Sequence, residues 1–208
     1  MFITFEGIEG SGKTTQIKRL RKTLVERGLP VIATHEPGGT EIGARIRKIL
    51  LDSRHRNLTP LAELILIEAD RAQHVDEVIR PAIEDGRWVL CDRYTDATMA
   101  YQGAARGLDM EFLRFLNNRV TGGISPDLTF LLDCPEETGI RRALGRNERS
   151  GERGQDRFDR EDLAFHRKVR AAYLDLARTE PARFQVIDAT RPENQVEAEI
   201  LQRILPYI

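Results

Sequence analysis

The first chemistry is set by a glycine-rich run near the start of the chain, FEGIEGSGKTT, residues Phe5 to Thr15. Gly7, Gly10 and Gly12 let backbone N–H groups converge on phosphate oxygens, and a helix starting after Gly12 would add the positive end of its dipole. Lys13 can reach β- and γ-phosphates, and the Thr14 hydroxyl can bind Mg²⁺. Ser11 and Thr15 belong to the same cradle. This spacing, residues 7–14, is the P-loop pattern, with an apolar run before it and a helical pattern after it. It predicts a nucleoside triphosphate ligand. Glu9 is the odd member: a solvated loop acid, or a contact to a second molecule beside the phosphates.

Phosphoryl transfer also needs cations around the moving group and a positioned acceptor. Asp92-Arg93-Tyr94 follows the apolar run WVLC, where an aspartate can support Mg²⁺ or orient the acceptor. Arg93 beside it can clamp an acceptor phosphate as a bidentate fork. A surface ion pair is the plainer reading of Asp-Arg, and the strand in front of it favours the first. Arg71 sits in a polar stretch behind Leu64–Ile67, either solvated or facing a cleft. Arg45 and Arg47 follow a Pro-Gly-Gly-Thr turn and either reach the cleft or stay on the surface. Gly145–Asp162 holds three glycines, five arginines, six acids and one apolar residue, Phe158. It is a charged linker or an arginine-bearing lid over phosphates.

These residues need a frame. Five short apolar runs, Phe2–Phe5, Pro30–Thr34, Trp88–Cys91, Leu128–Asp133 and Phe184–Asp188, read as strands covered on both faces. Helical patterns separate them: Lys13–Arg27, Glu41–Leu51, Pro60–Ile83, two around Asp96–Val120, Glu136–Leu144, Asp162–Arg178 and Asn194–Leu205. Alternation of this kind predicts an α/β fold, a parallel sheet wrapped by helices, with ligands beyond the carboxyl ends of the strands. The chain's 208 residues suit one such domain.

Composition bounds the function. A net charge of −1 gives no basic excess for nucleic acid. No apolar run approaches a membrane span, and no signal peptide is seen, so the cytoplasm follows as the default. Cys91 and Cys134 lie in apolar runs and read as buried thiols. His35, His55, His74 and His166 show no metal-ligand spacing.

With these pieces in place, the chain resembles thymidylate kinases nearly end to end. The resemblance rests on FEGIEGSGKTTQ, HEPGGTEIGARIRKILL (35–51), ADRAQHV (69–75), DRYTDATMAYQGAARGL (92–108), PDLTFLLDCPEETGIRRA (126–143) and VIDAT (186–190). It implies a five-stranded parallel core, a homodimer, and Mg²⁺-dependent transfer of the ATP γ-phosphate to dTMP. The loop from Gly7 to Thr15 and Lys13 would hold ATP, with Thr14 and Asp92 at the metal. Arg93 and Arg71, with Arg47, would clamp the acceptor phosphate. Pro37, Ile67, Thr98, Tyr101 and Gln102 would face base and sugar, with an acceptor-binding region spanning about 35–75. Arg142 would lie against adenine, whose other face would meet the loop at Ala189. Glu9 would face the acceptor and accept from its deoxyribose 3′-OH.

Two features refine this. The P-loop lacks an arginine, while residues 145–160 carry several, as in the bacterial subtype whose lid supplies the transition-state cation. Arg149 and Arg153, with Arg146 and Arg157, are the candidates. Ile67 stands where family members often stack an aromatic ring on thymine, and His35 where an arginine is common. A kinase for another nucleoside monophosphate and a non-catalytic P-loop switch are the rival readings.

Overall fold

The computed structural model describes residues 1–55, 57–150 and 156–208, the side chains of 147–150 excepted. Five parallel strands form one sheet: β1 (Phe2–Glu6), β2 (Val31–His35), β3 (Trp88–Asp92), β4 (Leu128–Asp133) and β5 (Phe184–Asp188). Their order is β2-β3-β1-β4-β5, so β1 is central. Its first four residues, Phe2, Ile3, Thr4 and Phe5, are all buried, as expected of a strand covered on both faces. Register carries Phe5 opposite Asp92, and Asp92 opposite His35. The P-loop and the Asp92-Arg93 turn therefore leave neighbouring strands at one edge of the sheet. Ligands of open parallel sheets bind at this edge.

Helices cover both faces: α1 (Lys13–Glu26), α2 (Glu41–Leu51), α3 (Pro60–His74), α4 (Arg80–Glu84), α5 (Thr95–Thr98), α6 (Met110–Thr121), α7 (Glu136–Ser150), α8 (Leu163–Thr179) and α9 (Glu193–Ile204). Ile3, Phe5, Leu20, Leu24 and Phe130 are buried with Val169, Tyr173 and Ile200 in the main core. Side-chain caps fix several starts. Thr40, Thr59, Asp109 and Asp162 each accept a backbone N–H at the head of α2, α3, α6 and α8.

Three helical expectations need correction. The pattern Pro60–Ile83 is not one regular helix. Val75–Ile79 forms a π-helical turn, with the Arg80 N–H donating to Val75 O five residues back. Pro81 lacks an N–H and its ring crowds the carbonyl four residues earlier, so a widened turn relieves it. A second π-helical stretch, Met99–Ala105, carries Tyr101 and Gln102 and links α5 to α6's loop. Finally, α7 extends to Ser150, well past Leu144. Arg146 is therefore helical, and the helix reaches into the arginine-rich stretch.

Candidate active site

The phosphate loop is shaped by close approach. Gly7 has φ 133°, and a Cβ there would lie 2.5 Å from Leu132 O. Gly10 (φ 68°) presses on the backbone of Gly139 in α7, where any side chain would collide. Only glycine satisfies both demands. Inside the loop, buried Lys13 donates from Nζ to Gly7 O (3.0 Å) and Ile8 O (2.9 Å). Thr14 Oγ1 donates to Asp92 Oδ2 at 2.6 Å, joining α1 to the end of β3.

Burial first, and then the Arg93 guanidinium, draw the Lys13 ammonium down from 10.5 to about 8. Between those values the unfolded chain binds more protons, so this group's effect on stability improves as pH rises through the window. Anion binding runs the other way, because only the ammonium attracts a triphosphate. The Kd for ATP is therefore expected to climb as pH passes about 8, approaching tenfold per unit. Calorimetric titration at pH 7 and 9.5 checks it. The Lys13→Met variant should show no such slope.

Arg93 is the hub across the cleft. Its φ of 71° is the positive value of a non-glycine residue, held by the Arg93 N–H donating to Phe5 O at 3.0 Å. Its guanidinium donates to Glu9 Oε1 (3.0 Å) and Tyr173 Oη (3.1 Å) and lies 4.8 Å over the Tyr101 ring. Tyr101 Oη donates to the same Glu9 oxygen at 2.7 Å. Burial opposes charge on Glu9 and is the largest single influence, but Arg93, His166 and Lys13 together outweigh it and hold the carboxyl well below the usual range. Beneath, Glu6 accepts from Tyr94 N (2.8 Å) and Tyr173 Oη (2.6 Å). Burial, aided by the Asp96 charge, pushes Glu6 up to about 8. Glu6 and Tyr173 were not singled out from the sequence. One ends a strand and the other sits on a helix core face, and neither type is unusual there.

Arg71 lies at the other end of the cleft and is 1% exposed. It donates from Nε to Glu36 (2.9 Å), and from Nη1 to Thr98 Oγ1 (2.9 Å), Asn117 Oδ1 (2.8 Å) and Glu68. Nη2 donates to Tyr94 O at 3.1 Å. Two carboxylates already match its charge. Gln102 also turns inward, its amide donating to buried Glu63 at 2.8 Å. Arg47 donates to Pro37 O at 2.7 Å, on the rim beside half-buried Ile67. Arg142 donates to Ala189 O at 2.9 Å, so these two residues do come together.

The arginine-rich stretch is only partly described. The Arg149 side chain and Arg153 lie outside the described residues. Arg146 sits 3.8 Å from Asp159. Arg157 is not a cation offered to the cleft. It is buried, donates to Leu50 O at 2.5 Å, and pairs with Glu63 at 2.7 Å. It pins the stretch before α8 to α2 and α3.

One cleft of about 1150 Å³ is lined by the P-loop, Pro37, Arg47, Ile67, Arg71, Asp92, Arg93, Thr98 and Tyr101. Arg142 and Ala189 also line it. A typical single-ligand pocket holds about 300–1,000 Å³, so there is room for more than one. A parallel sheet with a phosphate loop at its central strand, facing a second charged turn across such a space, defines a P-loop kinase that brings two nucleotides together.

The comparisons with known proteins narrow the class. A family model described as Thymidylate kinase matches residues 5–200. A thymidylate kinase of Desulfovibrio desulfuricans is 53% identical over 209 residues, covering 100% of this chain and 96% of that protein. One of Desulfosudis oleivorans is 52% identical, covering 97% and 94%. The solved thymidylate kinase of Ehrlichia chaffeensis is 33% identical, with a TM-score of 0.78, covering 99% of this chain and 98% of that one. The chain belongs to the thymidylate kinase family.

Proposed function

We propose that the chain transfers the γ-phosphoryl group of ATP to dTMP, giving dTDP. The carrying observation is the meeting of Glu9 and Arg93, one from the phosphate loop and one from the facing turn, 3.0 Å apart in a single cleft. A nucleotide switch has no use for a second cationic site aimed at the phosphate loop. Family membership favours dTMP over the other monophosphates.

The residues take these roles. Lys13 and the loop amides hold the β- and γ-phosphates, and Arg142 with the Ala189 loop borders adenine. Arg93 and Arg47 draw the acceptor phosphate in. Arg71 is better suited to a hydrogen bond than to a charge clamp, since Glu36 and Glu68 neutralise it beside Thr98. Its place at the buried end, next to Thr98 and Ile67, suits a pyrimidine edge. Tyr101 and Glu9 border the sugar. Among the described residues no cluster of three metal-ligating side chains exists. The Thr14–Asp92 pair fits Mg²⁺, which takes one or two protein oxygens plus substrate phosphates. There the ion would neutralise charge on the transferring phosphoryl. Arg149 and Arg153 stay as the lid cations of this reading. The compartment it implies is the cytoplasm, where buried thiols such as Cys91 and Cys134 stay reduced.

A coupled assay for ADP with a panel of nucleoside monophosphates tests the proposal. Turnover with dTMP far above the others is expected. Turnover with another acceptor and none with dTMP would sink it, and ATP binding without any transfer would revive the switch.

The homodimer belongs to the same reading. Apolar side chains stand exposed on neighbouring helices: Ile42 on α2, Leu61 and Ile65 on α3, Phe112 and Phe115 on α6. Phe115 is 68% exposed, a poor solution for a lone aromatic ring among other apolar groups. Phe115→Asp is expected to halve the mass seen by light scattering. An unchanged mass places the dimer contact elsewhere.

A further inference from the structure

Glu9 has one buried loose end. Oε1 takes both Arg93 and Tyr101, whereas Oε2 is buried with no hydrogen-bond partner. Opposite it, on the first turn of α8, stands His166, which is 0% exposed. Both of its ring nitrogens lack hydrogen-bond partners among the described residues. The gap from His166 Nδ1 to Glu9 Oε2 is 3.3 Å, close but without hydrogen-bond geometry.

Burying a donor and an acceptor unpaired is costly, and native interiors rarely tolerate it. Here the two loose ends face one another, and a small rotation of either side chain joins them. The placement has a purpose beyond packing. Asp162 caps α8 and accepts the His166 N–H at 3.3 Å. Directly before it, Arg157 fixes the chain to Leu50 and Glu63 on the acceptor-side helices. His166 therefore stands between the anchored end of the lid stretch and the phosphate loop's only acid.

We propose that His166 is a positioning residue for phosphoryl transfer. Its Nδ1–H donates to Glu9 Oε2, fixing the carboxylate that holds the Arg93 guanidinium in place for the acceptor. ATP, held by loop amides and Lys13, is little affected. The inference rests on the reading of Glu9 and Arg93 as acceptor-side groups.

The test uses His166→Phe, His166→Asn, Glu9→Gln and the Glu9→Gln/His166→Phe double variant. The phenyl ring keeps the volume and loses the donor. The asparagine amide restores an N–H near the Nδ1 position. His166→Phe is expected to raise KM for dTMP about tenfold and leave KM for ATP within about twofold. His166→Asn should recover most of the loss. On the Glu9→Gln background, His166→Phe should add little. The proposal is overturned if His166→Phe leaves KM for dTMP unchanged, or if the asparagine variant is as poor as the phenylalanine one. If Glu9→Gln itself leaves KM for dTMP unchanged, the acceptor-side reading of Glu9 is what fails. Thermal unfolding of the same set then decides the contact. Coupling between positions 9 and 166 without a kinetic effect makes the pair a packing contact and ends the positioning role. Should His166→Phe fail to fold, the asparagine variant on both Glu9 backgrounds carries the same comparison.

Discussion

An Arg93→Ala enzyme is expected to bind ATP normally and to turn over at least about 10³-fold more slowly, by comparison with other cations that meet a transferring phosphoryl group. The guanidinium donates to Glu9 and Tyr173 and stacks on Tyr101, so its loss leaves Arg47 as the remaining cation proposed to draw in the acceptor phosphate, and releases Glu9. Lysine is a poor replacement, since a point charge cannot span Glu9 and Tyr173 as the fork does. Steady-state kinetics with a separate ATP titration measure this. Turnover within tenfold of the parent would remove Arg93 from the chemistry. Arg93→Gly separates strain from function. Holding a non-glycine residue at φ 71° costs about 1–3 kcal/mol, which glycine avoids. The glycine variant should be as inactive as the alanine one and more stable.

The largest effect on stability is expected at Arg71. Its side chain is 1% exposed, and Glu36 and Glu68 beside it are almost as buried. Arg71→Ala leaves two carboxylates without their shared cation, a loss of about 3–5 kcal/mol. The loss should depend on pH. Burial already raises the Glu68 carboxyl, with the Glu36 charge raising it further, and Arg71 is what restrains it. Without Arg71 the folded state binds more protons than the unfolded chain just above the normal carboxyl range. Stability of the variant should therefore fall as pH rises from 5.5 to 8. Urea unfolding at both values tests the sign. A variant equally stable at the two pH values, or within 1 kcal/mol of the parent by the bound above, contradicts this account.

The sheet was legible because its strands are short, apolar and bounded by helical patterns. Two of the five runs match the observed strands, two are one residue short at one end, and the run for β2 is shifted by one residue at both ends. The phosphate loop was legible because its glycines and Lys13 sit at a fixed spacing. The acceptor side was harder. Arg71 looks alike in sequence whether it clamps a free phosphate or is neutralised by Glu36, whose partnership spans 35 positions. Arg157 reads as one more arginine in a charged run, and only the fold shows its guanidinium seated against Leu50 O and Glu63. Long-range pairings of this kind leave no local period. Helix ends fail for a different reason: α7 continues to Ser150 because charged residues can carry a helix once its first turns are packed.

In the proposed reading, the Glu9–Arg93 pair joins the loop that would hold the donor to the turn that would face the acceptor. An acceptor phosphate engaging Arg93 would then share the guanidinium with Glu9, and a donor that stiffens the loop would change how readily Glu9 yields. On that reading the two affinities are linked through one ion pair. Thermodynamic reciprocity then fixes the outcome: whatever factor ATP imposes on the affinity for dTMP, dTMP imposes the same factor on the affinity for ATP. In this chain the order of substrate arrival alters the path to the ternary complex and leaves its total free energy unchanged.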